Sequence, residues 1–405
     1  MSTSSSTAPQ NGADVSRPLN LGVPAESVTG ERRVSITPAV VPALLKLGID
    51  KVIVESGAGE AAGFPDAAYV DKGATIGSAD DVWAADLVTA VRVLDADPAS
   101  PDLARVRPGH VIVGMAAPLA QPEVAGALAA KGATLYSLEL VPRTTRAQAM
   151  DVLSSQANIS GYQAVLLAAA ALPKVFPMLT TSAGTMSPAR VLIIGAGVAG
   201  LSAIATSRRL GAVVEAYDVR DAAKEEVQSL GARFVELPLE TGQEGGGSGA
   251  YATALSEETL KKQQELLAKT VASSDVVITT AQVQGAKAPV IVTEEMVAGM
   301  NPGSVIVDLA AEQGGNCALT RAGETVVSGG VSIIGPTNVP SSTAHHASLM
   351  YAKNVANFIA LLVSNGNIAP DPEDDIVNQS VVCRGGDIVH ERVKSALGAG
   401  EGVPT

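Results

Sequence analysis

Residues 190–220 read RVLIIGAGVAGLSAIATSRRLGAVVEAYDVR, and the fold expected for the chain follows from this stretch. Residues 191–194 are an unbroken apolar, β-branched run, which is typical of a strand buried on both faces. A glycine-rich turn, an amphipathic helix ended by Gly211, and a second apolar strand ended by Asp218 follow in that order. The succession of strand, GxGxxG turn, helix, strand and acidic residue predicts a dinucleotide-binding unit.

The turn and the acidic residue have separate expected roles. Gly195 permits the tight turn, Gly197 lets the backbone approach a pyrophosphate, and Gly200 lets the helix pack closely on the strand. The helix N-terminus would face the phosphate charge. A carboxylate at Asp218 accepts hydrogen bonds from the adenosine ribose and repels a 2′-phosphate, so it favours NAD(H) over NADP(H). Arg220, two residues later, keeps NADP(H) open as a weaker alternative.

Composition and charge narrow the class of protein. A chain of 405 residues, 46% apolar and only 3% aromatic, suits two tightly packed α/β domains. The formal charge of −13 argues against nucleic acid or anionic lipid as a direct partner. Cys317 and Cys383 are far apart and lack metal-ligand neighbours, so neither a disulfide nor a metal site is expected, which fits a reducing cytosol. The longest apolar runs fall short of the ~20 residues of a spanning helix, so direct membrane insertion is not expected.

Strands alternate with helices along most of the chain, which predicts an α/β fold of two Rossmann-like, doubly wound parallel-sheet domains separated by a cleft. Residues 19–153 are expected to form the first domain, completed by residues 343–380. Residues 154–342 are expected to form the NAD(H)-binding Rossmann domain. The Ser- and Thr-rich residues 1–18 predict a disordered tail, and residues 381–405 a C-terminal tail.

Two further segments suggest a site. Gln148, Asp151 and Ser154 fall at i, i+3 and i+6, along one side of a helical turn, although an ordinary solvated helix start is the simpler interpretation. Residues 238–251 contain five glycines and cannot hold one conformation without outside contacts. A mobile lid with Tyr251 as its contact residue is favoured over a disordered linker, because the segment lies inside a domain.

Six motifs together resemble a known family: GERRVSITP, PRTTRAQAMDVLSSQANISGYQAV, VLIIGAGVAG with YDVR, GGGSGAY, VDLAAEQGGNC and NVPSSTAHHASLMYAKNVANF. They resemble the NAD(H)-binding domain I, the soluble alpha-1 subunit, of proton-translocating NAD(P) transhydrogenase, within the alanine dehydrogenase/transhydrogenase family. The likeness covers residues 19–368. It implies hydride transfer from NADH to NADP+ bound on a partner subunit, Si-specific/Re-specific and coupled to proton translocation by membrane subunits.

The resemblance also implies partners and a location. The chain would form a homodimer and be active only with NADP(H)-binding and membrane-spanning transhydrogenase subunits. It would be cytoplasmic, held peripherally on the cytoplasmic face of the inner membrane through those partners.

The resemblance further implies which residues meet NAD(H). The loop of Arg143, Gln148, Asp151 and Ser154 would hold the nicotinamide end, and Gln148 would also reach toward the partner's nucleotide. Arg143, Gln148 and Asp151 are therefore the expected catalytic residues. The full expected cofactor-binding set is Arg143, Thr144, Thr145, Arg146, Gln148, Asp151, Ser154, Gly195, Gly197, Val198, Gly200, Asp218, Val219, Arg220, Ala250, Tyr251, Gln263 and Gln282. Ala250 stands where the family often has glycine, which leaves the backbone details of the lid open.

Two other functions stay open as alternatives. Alanine dehydrogenase shares this two-domain organisation, but it needs a lysine and a histidine that the strands TAVRVLDAD and IVGMAAPLA lack, although Arg33 matches its substrate arginine. A non-catalytic NAD(H)-sensing module is the other alternative. Hydride transfer between two nicotinamides moves no proton, so it needs orientation at about 3–3.5 Å rather than a general acid or base. The expected site has polar residues and no histidine, which fits that requirement.

Overall fold

The computed structural model describes residues 18–93, 100–236, 257–282 and 285–400, with the backbone alone at residues 257–263 and 399–400. Within these ranges the chain forms two large, mainly parallel sheets, each covered by helices on both faces. The predicted α/β fold with two Rossmann-like domains is confirmed.

The elements up to the middle of the chain alternate between short strands and helices. In order they are β1 (Asn20–Val23), α1 (Val41–Lys46), β2 (Lys51–Glu55), α2 (Asp66–Val70), β3 (Thr75–Gly77), α3 (Ala79–Trp83), β4 (Leu87–Arg92), α4 (Pro101–Arg105), β5 (Val111–Met115), α5 (Pro122–Ala130), β6 (Thr134–Ser137) and the long α6 (Val152–Ala171).

The next elements contain the glycine-rich turn. They are β7 (Leu179–Thr181), β8 (Gly184–Met186), β9 (Arg190–Ile194), α7 (Val198–Arg209), β10 (Val213–Tyr217), α8 (Ala223–Ser229), β11 (Arg233–Phe234), α9 (Glu257–Ala272), β12 (Val276–Thr279), α10 (Glu294–Ala298), β13 (Val305–Asp308), β14 (Thr325–Ser328) and β15 (Val331–Ile334).

The last elements return to the first domain. They are α11 (Ala344–Leu362), β16 (Val363–Ser364), β17 (Asn367–Ile368), α12 (Asp375–Ser380), β18 (Val381–Arg384), β19 (Asp387–Ile388) and α13 (Glu391–Gly400).

The first sheet has the strand order β19-β18-β6-β5-β4-β1-β2-β3. The six strands from β6 to β3 in this order run parallel, and β18 and β19 add an antiparallel edge. Alternate residues of β5 face opposite cores, since Val111 and Val113 pack with α11 while Ile112 packs with α5. A strand that is buried on both faces needs such a continuous apolar run.

The second sheet has the order β11-β10-β9-β12-β13-β15-β14 and is parallel except for β14. Strand β9, which precedes the glycine-rich turn, lies inside the sheet between β10 and β12. Val191 and Ile193 face one core and Leu192 and Ile194 the other, and all four side chains are buried. The carboxyl ends of β9, β10, β12 and β13 therefore meet at one edge, where ligands bind in open α/β sheets.

Helix α6 connects the two domains. Val152 at its start belongs to the first core, and Ala164, Val165 and Ala168 in its second half belong to a core of the second sheet. Small side chains on this helix allow close approach of neighbouring helices. Because α6 is one continuous helix, it fixes the start of the second domain relative to the first.

The end of the chain corrects one prediction. Residues 381–405 were expected to be a tail, but β18 pairs antiparallel with β6, and Val382 and Cys383 are fully buried. The apolar run of β18 followed by the two glycines at 385–386, both at positive φ, makes a hairpin that extends the first sheet. Residues 401–405 and residues 1–17 of the expected N-terminal tail lie outside the described residues.

None of the helices in the described ranges combines the length and apolarity that a membrane span requires.

Candidate functional site

The glycine-rich turn between β9 and α7 has three glycines with three different surroundings. Gly195 has φ +97°, and a Cβ there would lie 2.5 Å from Oγ1 of Thr280. A Cβ at Gly200, in the first turn of α7, would lie 1.8 Å from the carbonyl oxygen of Gly195, so only glycine fits at this position. A Cβ at Gly197 would meet no atom within 4 Å. The turn therefore leaves open space in front of Gly197, at the N-terminus of α7, where backbone N–H groups bind phosphate in this type of fold.

Asp218 follows β10 and faces this turn. Its Oδ2 accepts a hydrogen bond of 2.7 Å from the N–H of Ala196, and its Oδ1 accepts one of 2.8 Å from the N–H of Arg220. The Arg220 guanidinium also donates to both carboxylate oxygens, at 3.0 and 3.1 Å. Burial alone would raise the pKa of Asp218, but the hydrogen bonds from Arg220 and Ala196 outweigh it and lower the pKa. Asp218 is thus an ionised acceptor at neutral pH beside the turn.

Val198 and Val219 flank the same place. Val198 is the first residue of α7 and is exposed, and Val219 is 84% exposed. The structure therefore brings together the expected residues Gly195, Gly197, Val198, Gly200, Asp218, Val219 and Arg220.

A buried carboxylate organises the neighbouring strand ends. Asp308, the last residue of β13, is fully buried and accepts five hydrogen bonds. Its donors are Thr279 Oγ1 at 2.8 Å, Ala310 N at 3.0 Å, Asn316 N at 2.7 Å, Cys317 N at 2.9 Å and Thr320 Oγ1 at 2.6 Å. Sequence reasoning noted this stretch only as a motif and missed the role of Asp308, because its donors are spread over more than 40 positions.

Asn316 extends this network to the residues after β12. Its Oδ1 accepts from the N–H of Ala281 at 2.9 Å, and its Nδ2 donates to the carbonyl oxygens of Ala281 and Pro289, both at 2.8 Å. Gln282, an expected cofactor contact, is exposed and donates through Nε2 to the carbonyl oxygen of Leu309 at 2.6 Å. The network therefore fixes the position of Gln282 at the ligand-binding edge of the sheet.

Residues 142–150 precede α6 in a series of tight turns, and they are called the nicotinamide loop below because the family resemblance implies that contact. Arg143, Thr144, Thr145, Arg146 and Gln148 in this loop are all exposed. The spacing of Gln148, Asp151 and Ser154 predicted one side of a helical turn, and the structure differs. Gln148 begins a separate 3-10 turn, Gln148–Met150, and Asp151 has extended backbone angles before α6.

Asp151 is the N-cap of α6. Its Oδ1 accepts from the N–H of Ser154 at 2.9 Å and its Oδ2 from Ser154 Oγ at 2.6 Å. A capping aspartate satisfies N–H groups that lack a helical partner and complements the positive end of the helix. The exposed nicotinamide loop is thus fixed at its C-terminal end to a rigid helix.

Arg146 holds the other part of the loop. Its guanidinium donates to both carboxylate oxygens of Asp374, at 2.7 and 2.8 Å, and also contacts Asp375. Arg146 holds the pKa of Asp374 down to about 2, and Asp374 in turn caps α12. Asn354 adds a hydrogen bond of 2.8 Å from Nδ2 to the carbonyl oxygen of Ala149. Elements near the C-terminus therefore support this loop.

A cavity of about 360 Å³ opens between the two domains. Arg33, Glu139 and Gln156 line it from the first domain and α6, and Ala199 and Gln282 line it from the second. The further lining residues that sequence reasoning did not single out include Thr280, Glu312 and Asn338. A cavity of this size with a few polar groups is typical of a ligand site.

Arg33 in this cavity is already bound by the chain's own groups. Its guanidinium donates to Glu31 at 2.8 and 2.6 Å, to Gln156 Oε1 at 2.9 Å and to Asn338 Oδ1 at 3.1 Å. An arginine has five N–H donors, and four hydrogen bonds from Arg33 end on protein acceptors. Arg33 is therefore poorly placed to bind a substrate carboxylate.

Two buried carboxyl groups at the ends of first-sheet strands have raised pKa values, and one of them, Glu139, lines the cavity. Burial raises the pKa of Glu26 to about 8, although the group accepts hydrogen bonds from the N–H groups of Val91 at 2.5 Å and Arg92 at 3.0 Å. Burial also raises the pKa of Glu139, against hydrogen bonds from Ser137 and two backbone N–H groups. Both carboxyls bind main-chain donors at the carboxyl ends of first-sheet strands or just beyond them. Their contacts indicate a structural role.

Three expected contacts are not described. Ala250 and Tyr251 of the expected lid lie outside the described residues, and Gln263 lies in α9 where side chains are not described. Elsewhere in the described ranges, no group of three or more His, Cys, Asp or Glu side chains is placed to hold a metal ion.

The fold and this site define a two-domain nucleotide-binding α/β protein. Family models for the N-terminal and C-terminal domains of alanine dehydrogenase/PNT match residues 22–160 and 164–391. The chain belongs to the alanine dehydrogenase/PNT family.

Relatives within this family differ in their similarity to the chain. The first part of NAD(P) transhydrogenase subunit alpha from Rhodospirillum rubrum is 46% identical over 377 residues, which cover 92% of this chain and 98% of that protein. The solved transhydrogenase of Sinorhizobium meliloti is 41% identical with a TM-score of 0.80, covering 92% of this chain and 99% of that one. The alanine dehydrogenase of Bacillus subtilis is 28% identical over 93% of this chain and 94% of that protein. The resemblance to the transhydrogenase alpha subunit is confirmed.

Proposed function

We propose that the chain is the NAD(H)-binding subunit of a proton-translocating transhydrogenase. It transfers hydride from NADH to NADP+ that is bound on a partner subunit, and membrane subunits couple this transfer to proton translocation. The proposal includes Si-specific/Re-specific transfer and activity only in the assembled enzyme. It also places the chain in the cytoplasm, peripherally on the cytoplasmic face of the inner membrane.

The observation that carries the proposal is the exposure of the nicotinamide loop. Residues expected to hold the nicotinamide, Arg143 and Gln148 among them, lie on the outside of the protein beside the capped start of α6. A dehydrogenase that acts alone on a small substrate has to enclose it to exclude water. An exposed loop instead allows a second polypeptide to complete the site. The similarity to transhydrogenase alpha subunits supports the same function.

The residues at the site fit NAD(H). The open space at Gly197 and the N-terminus of α7 would accept the pyrophosphate, and Asp218 would accept hydrogen bonds from the adenosine ribose. Arg143, Gln148, Asp151 and Ser154 would orient the nicotinamide, which supplies the hydride when the cofactor is bound. The remaining contacts of the expected set complete this proposal.

The chemistry of the cavity supports direct hydride transfer. Among the described residues that line it there is no histidine, lysine, tyrosine or cysteine. The carboxyl groups of Glu139 and Glu312 accept hydrogen bonds from backbone N–H groups of the chain. Transfer of a hydride between two nicotinamides depends on orientation, which contributes to the rate without a proton donor.

A homodimer is included in the proposal, supported by the hairpin of β7 and β8. Within the described residues these two strands pair only with each other, and every residue in them is exposed. Met178 before the hairpin is 64% exposed and Met186 at its end 45%. A two-stranded hairpin is marginally stable in water on its own, and exposed apolar patches mark association sites. A second copy of the chain is the proposed cover.

Two measurements on the isolated chain test this proposal. We expect NADH to bind, as seen in its fluorescence, and Gly197→Ala to weaken binding by about tenfold or more while the fold is kept, because the Cβ enters only the open space. We also expect negligible NADH oxidation with pyruvate and ammonia. Steady turnover with those substrates would instead establish alanine dehydrogenase activity.

A further inference from the structure

Helix α6 crosses α7 at the first turn of α7. A Cβ at Gly161 of α6 would lie 2.0 Å from the carbonyl oxygen of Ala199 and 2.9 Å from Cβ of Ser202. Ser202 Oγ also donates a hydrogen bond of 2.7 Å to the carbonyl oxygen of Asn158. The backbones of the two helices therefore touch, with no side chain of Gly161 between them.

The two sides of this contact belong to different regions of the site. Ala199 lies between Gly197 and Gly200, so it belongs to the turn that would hold the pyrophosphate. On the other side, α6 begins at its Asp151 cap, beside the nicotinamide loop. At 1.5 Å per residue, Gly161 lies about 15 Å from this cap along the helix. One rigid helix thus connects the nicotinamide loop to the pyrophosphate turn.

Helix α7 also packs closely on the side that faces its own strand, β9. The space of a Cβ at Gly200 is taken up by the carbonyl oxygen of Gly195, at 1.8 Å. Helix α7 is therefore held against its own strand, and a widening of the α6–α7 contact has to move α6. Any such movement displaces the start of α6 and the loop before it.

We infer that Gly161 is a positioning residue, which sets the distance between the pyrophosphate turn and the nicotinamide loop without touching the nucleotide. This inference rests on the function proposed above. Real Cβ atoms essentially never approach closer than 3.0 Å, so an alanine at Gly161 requires a displacement of about 1 Å. A misplacement of about 1 Å that originates away from the reacting atoms can lower a rate by about 10²-fold.

The test compares Gly161→Ala with Gly126→Ala. Gly126 lies inside α5, and a Cβ there would meet no atom within 4 Å, so it controls for the general effect of alanine in a helix. Three quantities are measured for each variant: the affinity for ADP-ribose, the affinity for NADH, and the rate of hydride transfer to NADP+ in the enzyme assembled with its partner subunits. ADP-ribose lacks the nicotinamide and reports on the pyrophosphate turn alone.

We expect Gly161→Ala to keep its ADP-ribose affinity within about threefold, to bind NADH less tightly relative to ADP-ribose, and to transfer hydride about 100-fold more slowly. Gly126→Ala should match the wild type in all three. A purely structural role would lower both affinities together. An unchanged ratio of NADH to ADP-ribose affinity, or a transfer rate within about threefold of the wild type, would overturn the inference.

Two further outcomes remain decisive. If the wild-type complex transfers no hydride, the proposed function fails, while the ratio of the two affinities still decides the role of Gly161. If Gly161→Ala does not fold, Ser202→Ala replaces it, because this variant loses the 2.7 Å hydrogen bond without adding an atom. A folded Ser202→Ala variant should lower the affinity ratio severalfold, and an unchanged ratio overturns the inference.

Discussion

Asp308→Asn tests whether the hydrogen bonds that Asp308 accepts hold the ligand-binding edge of the second sheet in place. Asparagine has the shape of aspartate, but it replaces one acceptor oxygen with an NH2 donor. Oδ1 of Asp308 accepts from Thr279 and Ala310, and Oδ2 accepts from Asn316, Cys317 and the Thr320 hydroxyl. A hydroxyl can rotate and accept instead, but a backbone N–H cannot.

The magnitude follows from where the amide nitrogen can go. On the Oδ2 side it would leave two buried N–H groups without an acceptor, those of Asn316 and Cys317, and on the Oδ1 side only that of Ala310. The amide nitrogen of the asparagine should therefore take the position of Oδ1. One orphaned N–H costs about 1–3 kcal/mol, and the remaining bonds lose the strength that an ionised acceptor gives them. We expect a total loss of about 3 kcal/mol in the local stability of residues 309–320.

Amide hydrogen exchange measures this loss locally, without assuming that two domains unfold in one step. The amides of Asn316 and Cys317 should exchange about 100-fold faster in Asp308→Asn, since about 1.4 kcal/mol corresponds to a factor of ten. Asp275→Asn is the matched control, because that carboxylate bonds Lys174 and the N–H of Arg190 at the opposite end of the sheet. It should leave exchange of residues 309–320 unchanged. An increase below about threefold in Asp308→Asn would show that Asp308 does not hold these amides in place.

Three further predictions concern specificity, pH and the nicotinamide loop. Asp218→Asn removes the charge that repels a 2′-phosphate, so the ratio of NADPH to NADH affinity in fluorescence titrations should rise by about tenfold. An unchanged ratio would contradict the assigned role. Since burial raises the pKa of Glu26 from 4.5 to about 8, the folded chain keeps a proton there that the unfolded chain releases. Its stabilising contribution is complete below about pH 4.5 and is lost as the pH rises toward 8. Urea unfolding at pH 5 and pH 8 should show a smaller difference in Glu26→Gln than in the wild type, and an equal difference would count against burial of this carboxyl. Asp374→Asn should speed amide exchange in residues 144–149 severalfold, because it weakens the bidentate pair that ties Arg146 of this loop to the start of α12. Arg105→Ala, which removes the surface ion pair with Asp80 far from this loop, should leave the loop unchanged, and equal effects of the two variants would exclude a specific role for Asp374.

The features of the site that sequence could predict depend on residues close together in the chain. The turn of Gly195, Gly197 and Gly200 and the position of Asp218 follow from one strand–helix–strand unit, and the structure has them together. The sequence also indicated that residues 143–154 form a second polar segment. It did not reveal that Asp151 is a helix cap, because the spacing i, i+3, i+6 fits both a helix face and a cap followed by its first turn.

The features that sequence could not predict depend on distant partners. The donors to Asp308 come from four separate short segments, and β18 pairs with β6 across about 250 positions. Strand β18 is only four residues long, so its apolar run was too short to distinguish from a tail. The contact of Gly161 with Ala199 depends on how two helices pack, and a glycine in a helix that is rich in small residues does not predict it. Long-range pairing and helix packing set these features, and neither has a local signature.

The proposed function requires that the chain present NADH to a nucleotide held by another polypeptide. The most direct measurement is single-turnover transfer of hydride from NADH to NADP+, in the chain alone and in the chain mixed with an NADP(H)-binding partner subunit. We expect no transfer by the chain alone and rapid transfer in the mixture, lost in Gln148→Ala while NADH still binds. A stable complex that binds both nucleotides and transfers no hydride would rule out the proposed function and favour an NAD(H)-sensing module.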